Sequence, residues 1–356
     1  MYIKKVFKIV LAITLVFLFF SCKKAKAQAG IYKELPKEAS KKLKSYNESV
    51  KYNQLQSQIK FKKAEDYLPK PYVKDATIDY TIYIQRALDE NTNILMPNFP
   101  ILVNDQGLTV YDNQKILFGK YSLLRLLPSS KTNYEILRIH NRKNVDIYFP
   151  KIYGDRDTHL SNKGEWGMGI SIKSSENVKI INPYISHCWG DGIYIGQIGT
   201  KDNINIEVRN GWIDYNRRNG ISVINSQELL ISDVVVSNTF GTNPQAGIDI
   251  EPNHSYNIIK NIKIQNSYLY NNKNYGVSLA FYELMGSEDS VGVAIRTNTI
   301  IDSKVGIGYA TSKIPKNKKY LKGNVSLYKN KFDTVDDKYK VEYRSKYDRV
   351  NIKNNK

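Results

Sequence analysis

The chain has 356 residues, with 53 Lys and Arg against 34 Asp and Glu, a formal net charge of +19 and a mean hydropathy of −0.46. That length can bury a substantial core and holds one large or two small domains. Its two cysteines, Cys22 and Cys188, exclude a disulfide framework, and no Cys/His cluster has zinc spacing.

Residues 1–22 read as an export signal. Lys4, Lys5 and Lys8 precede an apolar run from Ile9 to Phe20, too short to span a bilayer comfortably. Ser21-Cys22 resembles a bacterial lipoprotein box, which implies lipidation of Cys22. The alternative is cleavage after Ala25-Lys26-Ala27, before Gln28. Both readings export the protein from a bacterial cell, as an outer-membrane or cell-surface lipoprotein or as a secreted or periplasmic protein. Export argues against nucleic acid as a partner and leaves the membrane to a lipid anchor. The positive charge then points to polyanions such as an acidic polysaccharide, or to a Lys-rich surface that only keeps the chain solvated.

Residues 23–74 are rich in Lys, Ser, Asn and Gln and contain Pro36, Pro69 and Pro71. They read as a polar tether with one polar helix around Lys37–Tyr46. Thr77-Ile78-Asp79 opens a predicted helix through Asp89, with Ile78, Ile82, Ala87 and Leu88 as its apolar stripe and Ile84 to one side. β-rich sequence follows at 93–97, 100–103, 108–110 and 115–118.

From residue 144 the chain repeats itself. One strand type recurs as Asn144-Val145-Asp146-Ile147, Asn177-Val178-Lys179-Ile180, Asn203-Ile204-Asn205-Ile206, Glu228-Leu229-Leu230-Ile231 and Asn261-Ile262-Lys263-Ile264. A second begins with glycine: Gly169-Ile170-Ser171-Ile172, Gly192-Ile193-Tyr194-Ile195, Gly220-Ile221-Ser222-Val223, Gly247-Ile248-Asp249-Ile250, Gly276-Val277-Ser278-Leu279 and Gly306-Ile307-Gly308-Tyr309. Successive glycines lie roughly 23 to 30 residues apart, a solenoid period. The elements are short, β-branched and of period 2, with no amphipathic helix between them. Helical repeats are excluded and a parallel β-helix remains. The asparagines that recur at successive turns suit stacked amide ladders, a structural use.

The Ile84-Gln85-Arg86-Ala87-Leu88-Asp89 helix, the Met96-Pro97 strand end and the coils that follow resemble the pectate-lyase-like superfamily. The resemblance covers about residues 75–335 and implies an all-β fold, a single-stranded right-handed parallel β-helix with a short N-terminal capping helix. It leaves residues 336–356 as a charged C-terminal tail. The superfamily includes polysaccharide lyases, polygalacturonase-type glycoside hydrolases and phage tailspikes, so the fold does not choose the reaction. The Gly-His-Gly and paired-Asp signatures of polygalacturonases are absent. Gly247-Ile248-Asp249 resembles part of the Gly-Ile-Asp-Pro-His stretch of alginate C5-epimerases, with Ile250-Glu251-Pro252 in place of the Pro-His.

Alternate residues of a strand share a face, so the position two after each glycine forms an outward column: Ser171, Tyr194, Ser222, Asp249, Ser278, Gly308. Small residues flank one acid, which predicts a shallow groove on an exposed face. Glu251 lies two residues on, roughly 6.5–7 Å away between Cα atoms, a spacing suited to an acid and a base astride a glycosidic bond. Asp191, two rungs away and about 10 Å along the axis, is an alternate carboxylate for an adjacent subsite. The loops entering these strands add Glu165 and Trp166, His159, His187 and Trp189, and Arg217 and Arg218. Trp166 and Trp189 offer flat faces to sugar rings, and the arginines suit bidentate pairing with a carboxylate or sulfate.

Three functions follow. The first is hydrolysis of an acidic polysaccharide by Asp249 and Glu251, with no cofactor. The second is a lyase or epimerase, in which Arg217 or Arg218 neutralises a uronate, His187 or Tyr194 takes a proton, and calcium sits on the carboxylates. The third is a non-catalytic glycan-binding surface β-helix. Residues 281–290 form a longer loop placed to overhang the groove.

Overall fold

The computed structural model describes residues 32–43, 52–311, 314–315 and 317–355. The export signal, Cys22, the Ala25–Ala27 cleavage site and the end of the expected Lys37–Tyr46 helix lie outside the described residues. From Leu35 to the C-terminus the chain forms one unit. Each turn lays down three short strands, and every one pairs in parallel with the strands of the turns before and after it. The first face is an eleven-stranded stack. The other two faces join into one 16-stranded sheet, because the long strand Thr299–Ala310 contributes to both.

The period-2 pattern explains this geometry. Inward residues are β-branched or Leu and stack on their equivalents one rung away. Ile170, Ile193, Ile221, Ile248 and Val277 are all 0% exposed, aligned by the registers Ile170–Ile193–Ile221–Ile248–Val277. Outward residues on the first face alternate in charge, Lys115, Asp146, Lys179 and Glu207 standing on successive rungs. At its corner an amide ladder runs from Asn205 through Asn177 and Asn144 to Asn113, each Nδ2 donating to the next Oδ1 at 2.8–3.1 Å. The asparagines take φ near +55° to +62°, a left-handed bend that Asn tolerates better than most residues.

The third face carries the site. Its strands are β1 (Asn133–His140), β2 (Trp166–Lys173), β3 (Ile193–Gly196), β4 (Ile221–Val223), β5 (Ala246–Ile250) and β6 (Tyr275–Ala280), followed by β7 (Thr299–Ala310) and β8 (Lys331–Tyr343).

Three expectations about the ends of the chain are corrected. The capping helix spans Thr81–Glu90 and buries Thr81, Ile84, Ala87 and Leu88, whereas Ile78 is 49% and Ile82 66% exposed. Asp79 accepts a hydrogen bond from the Thr81 N–H at 2.9 Å, which starts the helix after Ile78. Ile82 then stands about 200° from Ile84 around the axis, so the two isoleucines exchange roles.

The described parts of residues 23–74 are packed elements. Lys62–Lys63 pairs with Asn93–Leu95, and Ala64 and Leu68 enter the core. The helix Lys37–Lys42 buries Ala39 against Val235, Tyr268 and Tyr270 on the second face. Polar composition hid this, because the apolar partners of so small a contact lie on the solenoid. The charged tail is also strand. β8 pairs with β7, and Asp348–Asn355 pairs with Leu321–Tyr328, since the last full rung presents backbone groups that need partners.

Core loss in such a stack is local but expensive. Ile248→Ala is expected to lower unfolding free energy by about 2–5 kcal/mol, while Lys179→Ala on the solvated ladder stays within about 0.5 kcal/mol. Urea unfolding of the two variants checks the contrast.

Candidate active site

Backbone register places the outward column where the repeat puts it: Ser171 beside Tyr194, then Ser222, Asp249, Ser278 and Gly308. The face is not exposed there. Asp249, Ser222 and Ser171 are each 0% exposed, because the loops between the second and third faces fold over the strands.

Arg218 organises the carboxylates. It belongs to the rung of β4, between the rung of Asp191 and the rung of Glu251. Its Nη1 lies 3.2 Å from Asp191 Oδ2 and its Nη2 2.9 Å from Glu251 Oε2. One guanidinium thus bridges Asp191 and Glu251 across the two rungs, and Asp191 belongs to the same charge cluster instead of a separate subsite. Asp191 also accepts the Asn219 N–H at 3.0 Å, and Asn219 Nδ2 reaches Asp249 Oδ2 at 3.2 Å. Glu165 approaches Arg218 Nε to 4.0 Å.

The acids differ in what balances them. Burial, then the charge of Glu251, pushes the Asp249 carboxyl well above the usual carboxylate range, although Arg218 works the other way. Among the described residues its Oδ1 has no well-formed hydrogen bond, although the neighbouring Ser278 hydroxyl also draws the carboxyl down. Asp191 is raised by burial and drawn back by Arg218. Two carboxyls two residues apart therefore differ: Asp249 is buried and pushed upward, and Glu251 is ion-paired with Arg218.

Asp249 and Glu251 open on a pocket of about 100 Å³. Its floor is Ser278, Ala280, Gly308 and Ala310, and its walls are Pro244, Tyr275, Tyr282 and Glu342. Tyr282 comes from the longer loop expected to overhang the groove. A side chain at position 308 would put a Cβ 2.9 Å from the Tyr275 ring, so glycine there keeps the floor low.

The other expected ligand-binding residues divide. Trp166, 47% exposed, presents its ring to solvent, and Tyr194 lies in the column with its hydroxyl pushed up to about 12 by burial and then Asp191. Trp189 is only 9% exposed, its ring held between His159 at 4.1 Å and the Arg217 guanidinium at 3.7 Å. Arg217 also donates to the carbonyls of Gly164 and Trp189. His159 has a fully buried side chain, bonded through Nδ1 to Asp155 at 2.7 Å. These three hold the 154–167 loop by stacking on one another; Trp189 and His159 are buried, and Arg217 is only partly buried. His187 stacks between Tyr153 at 4.0 Å and Tyr215 at 4.7 Å. Burial and Arg156 lower it to about 4. Its contacts are with Tyr153, Tyr215 and, at 3.8 Å, the Asp157 carboxylate, and none is with Asp191, Asp249 or Glu251.

Two groups escaped the sequence reading. Glu342 falls in the expected charged tail, although the alternation Tyr339, Val341, Tyr343 is a strand signal. Glu135 and His140 lie on β1, whose strand lacks the glycine that registered the others. Glu135 Oε1 takes hydrogen bonds from Lys173 at 2.6 Å and Ser171 at 3.0 Å, and Ser171 lies 3.0 Å from His140 Nε2. Among the described residues no three Asp, Glu, His or Cys side chains group as a metal site requires. Arg218 stands between Asp191 and Glu251.

The family model "Right handed beta helix region" matches residues 87–264 and 151–300. The uncharacterized protein YclG of Bacillus subtilis (strain 168) is 28% identical over 240 residues, 62% of this chain but only 38% of YclG. Among solved structures, the N-terminal fragment of bacteriophage phi29 gene product 12 has a TM-score of 0.56 at 13% identity, covering 85% of this chain and 60% of that one. The family 28 exopolygalacturonase of Yersinia enterocolitica has a TM-score of 0.55 at 11% identity, covering 78% and 66%. At such identities these structures share the fold with this chain.

The buried acid has a measurable signature. A carboxyl raised in the folded state binds more protons folded than unfolded, so native stability falls as pH climbs from 3.8 through the raised value. Asp249→Asn escapes that penalty. Its melting temperature is expected to exceed the wild type's at about pH 7 and to lose the advantage near about pH 3.5. Parallel melting curves across that range would remove the charge penalty from Asp249.

Proposed function

Because the chain belongs to the family of right-handed β-helix proteins, we propose that it is an exported polysaccharide hydrolase, with Asp249 as general acid and Glu251 as general base. The observation that carries this reading is the split between two neighbouring carboxyls. One is buried with its pKa pushed upward, the other is ion-paired with Arg218, and both line one pocket. Such a divergence is how a site assigns acid and base roles at one pH.

In the proposed reaction Asp249 gives its proton to the glycosidic oxygen as the bond from that oxygen to the anomeric carbon breaks. Water attacks the same carbon, and Glu251 accepts the proton that water loses. The net change is addition of water across the bond, and the two carboxyls re-equilibrate their protons with solvent. Asp191 is a positioning residue. It holds Arg218 from one side and the Asn219 amide from the other, and so sets where Glu251 and Asp249 stand.

A neighbour in fold named as an exopolygalacturonase makes polysaccharide chemistry a consistent expectation. The arginines argue against the lyase or epimerase reading. Arg218 already faces Asp191 and Glu251, and Arg217 lies on Trp189, so neither is poised to neutralise a uronate. The net charge of +19 favours a polymer that is acidic overall, and a lipid on Cys22 would hold the enzyme at the membrane.

Product analysis on acidic and neutral glycans is expected to show new reducing ends without an ultraviolet-absorbing unsaturated sugar. Unsaturated products would overturn hydrolysis. Asp249→Asn is expected to lower kcat by about 10²–10⁴-fold with the fold intact by circular dichroism, and Glu251→Gln by a similar factor. Undiminished turnover in both would move the chemistry elsewhere.

A further inference from the structure

The far wall of the pocket is built by an irregularity in the last rung. Along β7 and β8, Tyr309 pairs with Val341 and Ala310 with Tyr343. Glu342 is the extra residue of that bulge. A bulge bends its strand and re-aims a side chain, and here the re-aimed side chain is a wall of the pocket. Its Oε1 accepts a hydrogen bond from the Tyr275 hydroxyl at 2.6 Å. Among the described residues Oε2 has no partner. Tyr282 stands on the same pocket with part of its ring exposed.

Three features of this wall define what it can hold. The lining includes the carboxyl groups of Asp249, Glu251 and Glu342 and contains no Lys, Arg or His. Arg218 is turned to Asp191 and Glu251, and Arg344 lies over the Tyr309 ring at 5.9 Å and beside Asp348; neither lines the pocket. Glu342, whose Oε1 already accepts from Tyr275, offers a second oxygen that can accept but not donate. A uronate or sulfate placed here would meet the Glu342 carboxylate, which no lining cation offsets. A sugar hydroxyl would find an acceptor, and a sugar ring would find two tyrosines and a flat floor of small residues.

We propose that Glu342, Tyr275 and Tyr282 form a subsite that selects an uncharged sugar ring beside the cleaved bond. This rests on reading the pocket as a glycan site. It narrows the substrate class to a polymer whose acidic groups, where present, lie on residues outside the pocket. The positive charge of the chain as a whole then gathers the polymer, while the pocket chooses a neutral residue within it.

The test reads binding and cleavage separately on the full exported chain. Calorimetry at neutral pH would compare neutral hexasaccharides (cello-, laminari-, manno-, galacto- and chito-oligomers) with oligogalacturonate and oligomannuronate of the same length. Expected is binding of at least one neutral oligomer, with uronate oligomers at least 10-fold weaker. Glu342→Ala and Tyr282→Ala are each expected to weaken the neutral oligomer at least 10-fold. Glu342→Gln, which keeps the shape and removes the charge, is expected to narrow the gap between neutral and uronate ligands. Tyr275→Phe, which keeps the ring and releases Glu342, controls for folding and should weaken binding less than Glu342→Ala.

Uronate oligomers binding as tightly as neutral ones, no neutral oligomer binding, or unchanged affinity in Glu342→Ala would each overturn the subsite. Neutral binding that depends on Glu342 without cleavage of any polymer would support the subsite and overturn the hydrolase. Cleavage within a pure polyuronate would do the reverse.

Discussion

Everything in this structure depends on backbone stacking at the corner where each third-face strand begins. A Cβ added at Gly169, Gly192, Gly220, Gly247 or Gly276 would stand 2.5–2.8 Å from the carbonyl oxygen of the next glycine in the column. Only residues without side chains let the rungs close to ladder distance there. That closeness fixes the register, and the register decides that Asp249 falls between Ser222 and Ser278 on its neighbouring rungs. The flanking small residues leave room beside the acid, and inward Ile248 and Ile250 anchor the strand that carries it.

Given that frame, charge placement becomes the second constraint. Arg218 is buried, which works against its charge, but Asp191, Asp249 and Glu251 outweigh burial and raise it above the ordinary arginine range. A buried ion pair of this kind contributes little net stability, yet removing one partner leaves an uncompensated charge and costs about 3–5 kcal/mol. Its value here is positional. Asp191 and Glu251 share the guanidinium directly, while Asp249 takes the Asn219 side-chain amide and feels Arg218 only at a distance. The residue without a direct cation contact is the one whose pKa burial and Glu251 raise.

The loop edge illustrates how composition misleads about role. His159, Trp189 and Arg217 do gather where the repeat predicts, and they gather by stacking on one another. Residues suited to holding sugars, namely flat rings and a guanidinium, are equally suited to holding a loop. Burial of Trp189 and the Asp155 bond to His159 decide for the loop. Trp166, left exposed, keeps the ligand-binding option.

The sequence alone determined the parallel β-helix, its inward isoleucines, its amide ladder and the column containing Asp249, because each follows from a periodic backbone and alternation of faces. Periodicity is local and repeats, so it survives reading one strand at a time. Tertiary structure decided what periodicity does not encode. Loops bury Asp249, Arg218 reaches across two rungs, helix Lys37–Lys42 lies on the second face, and a one-residue bulge turns Glu342 into the pocket. These outcomes depend on side-chain reach and on contacts between residues far apart in sequence, which no repeat pattern carries.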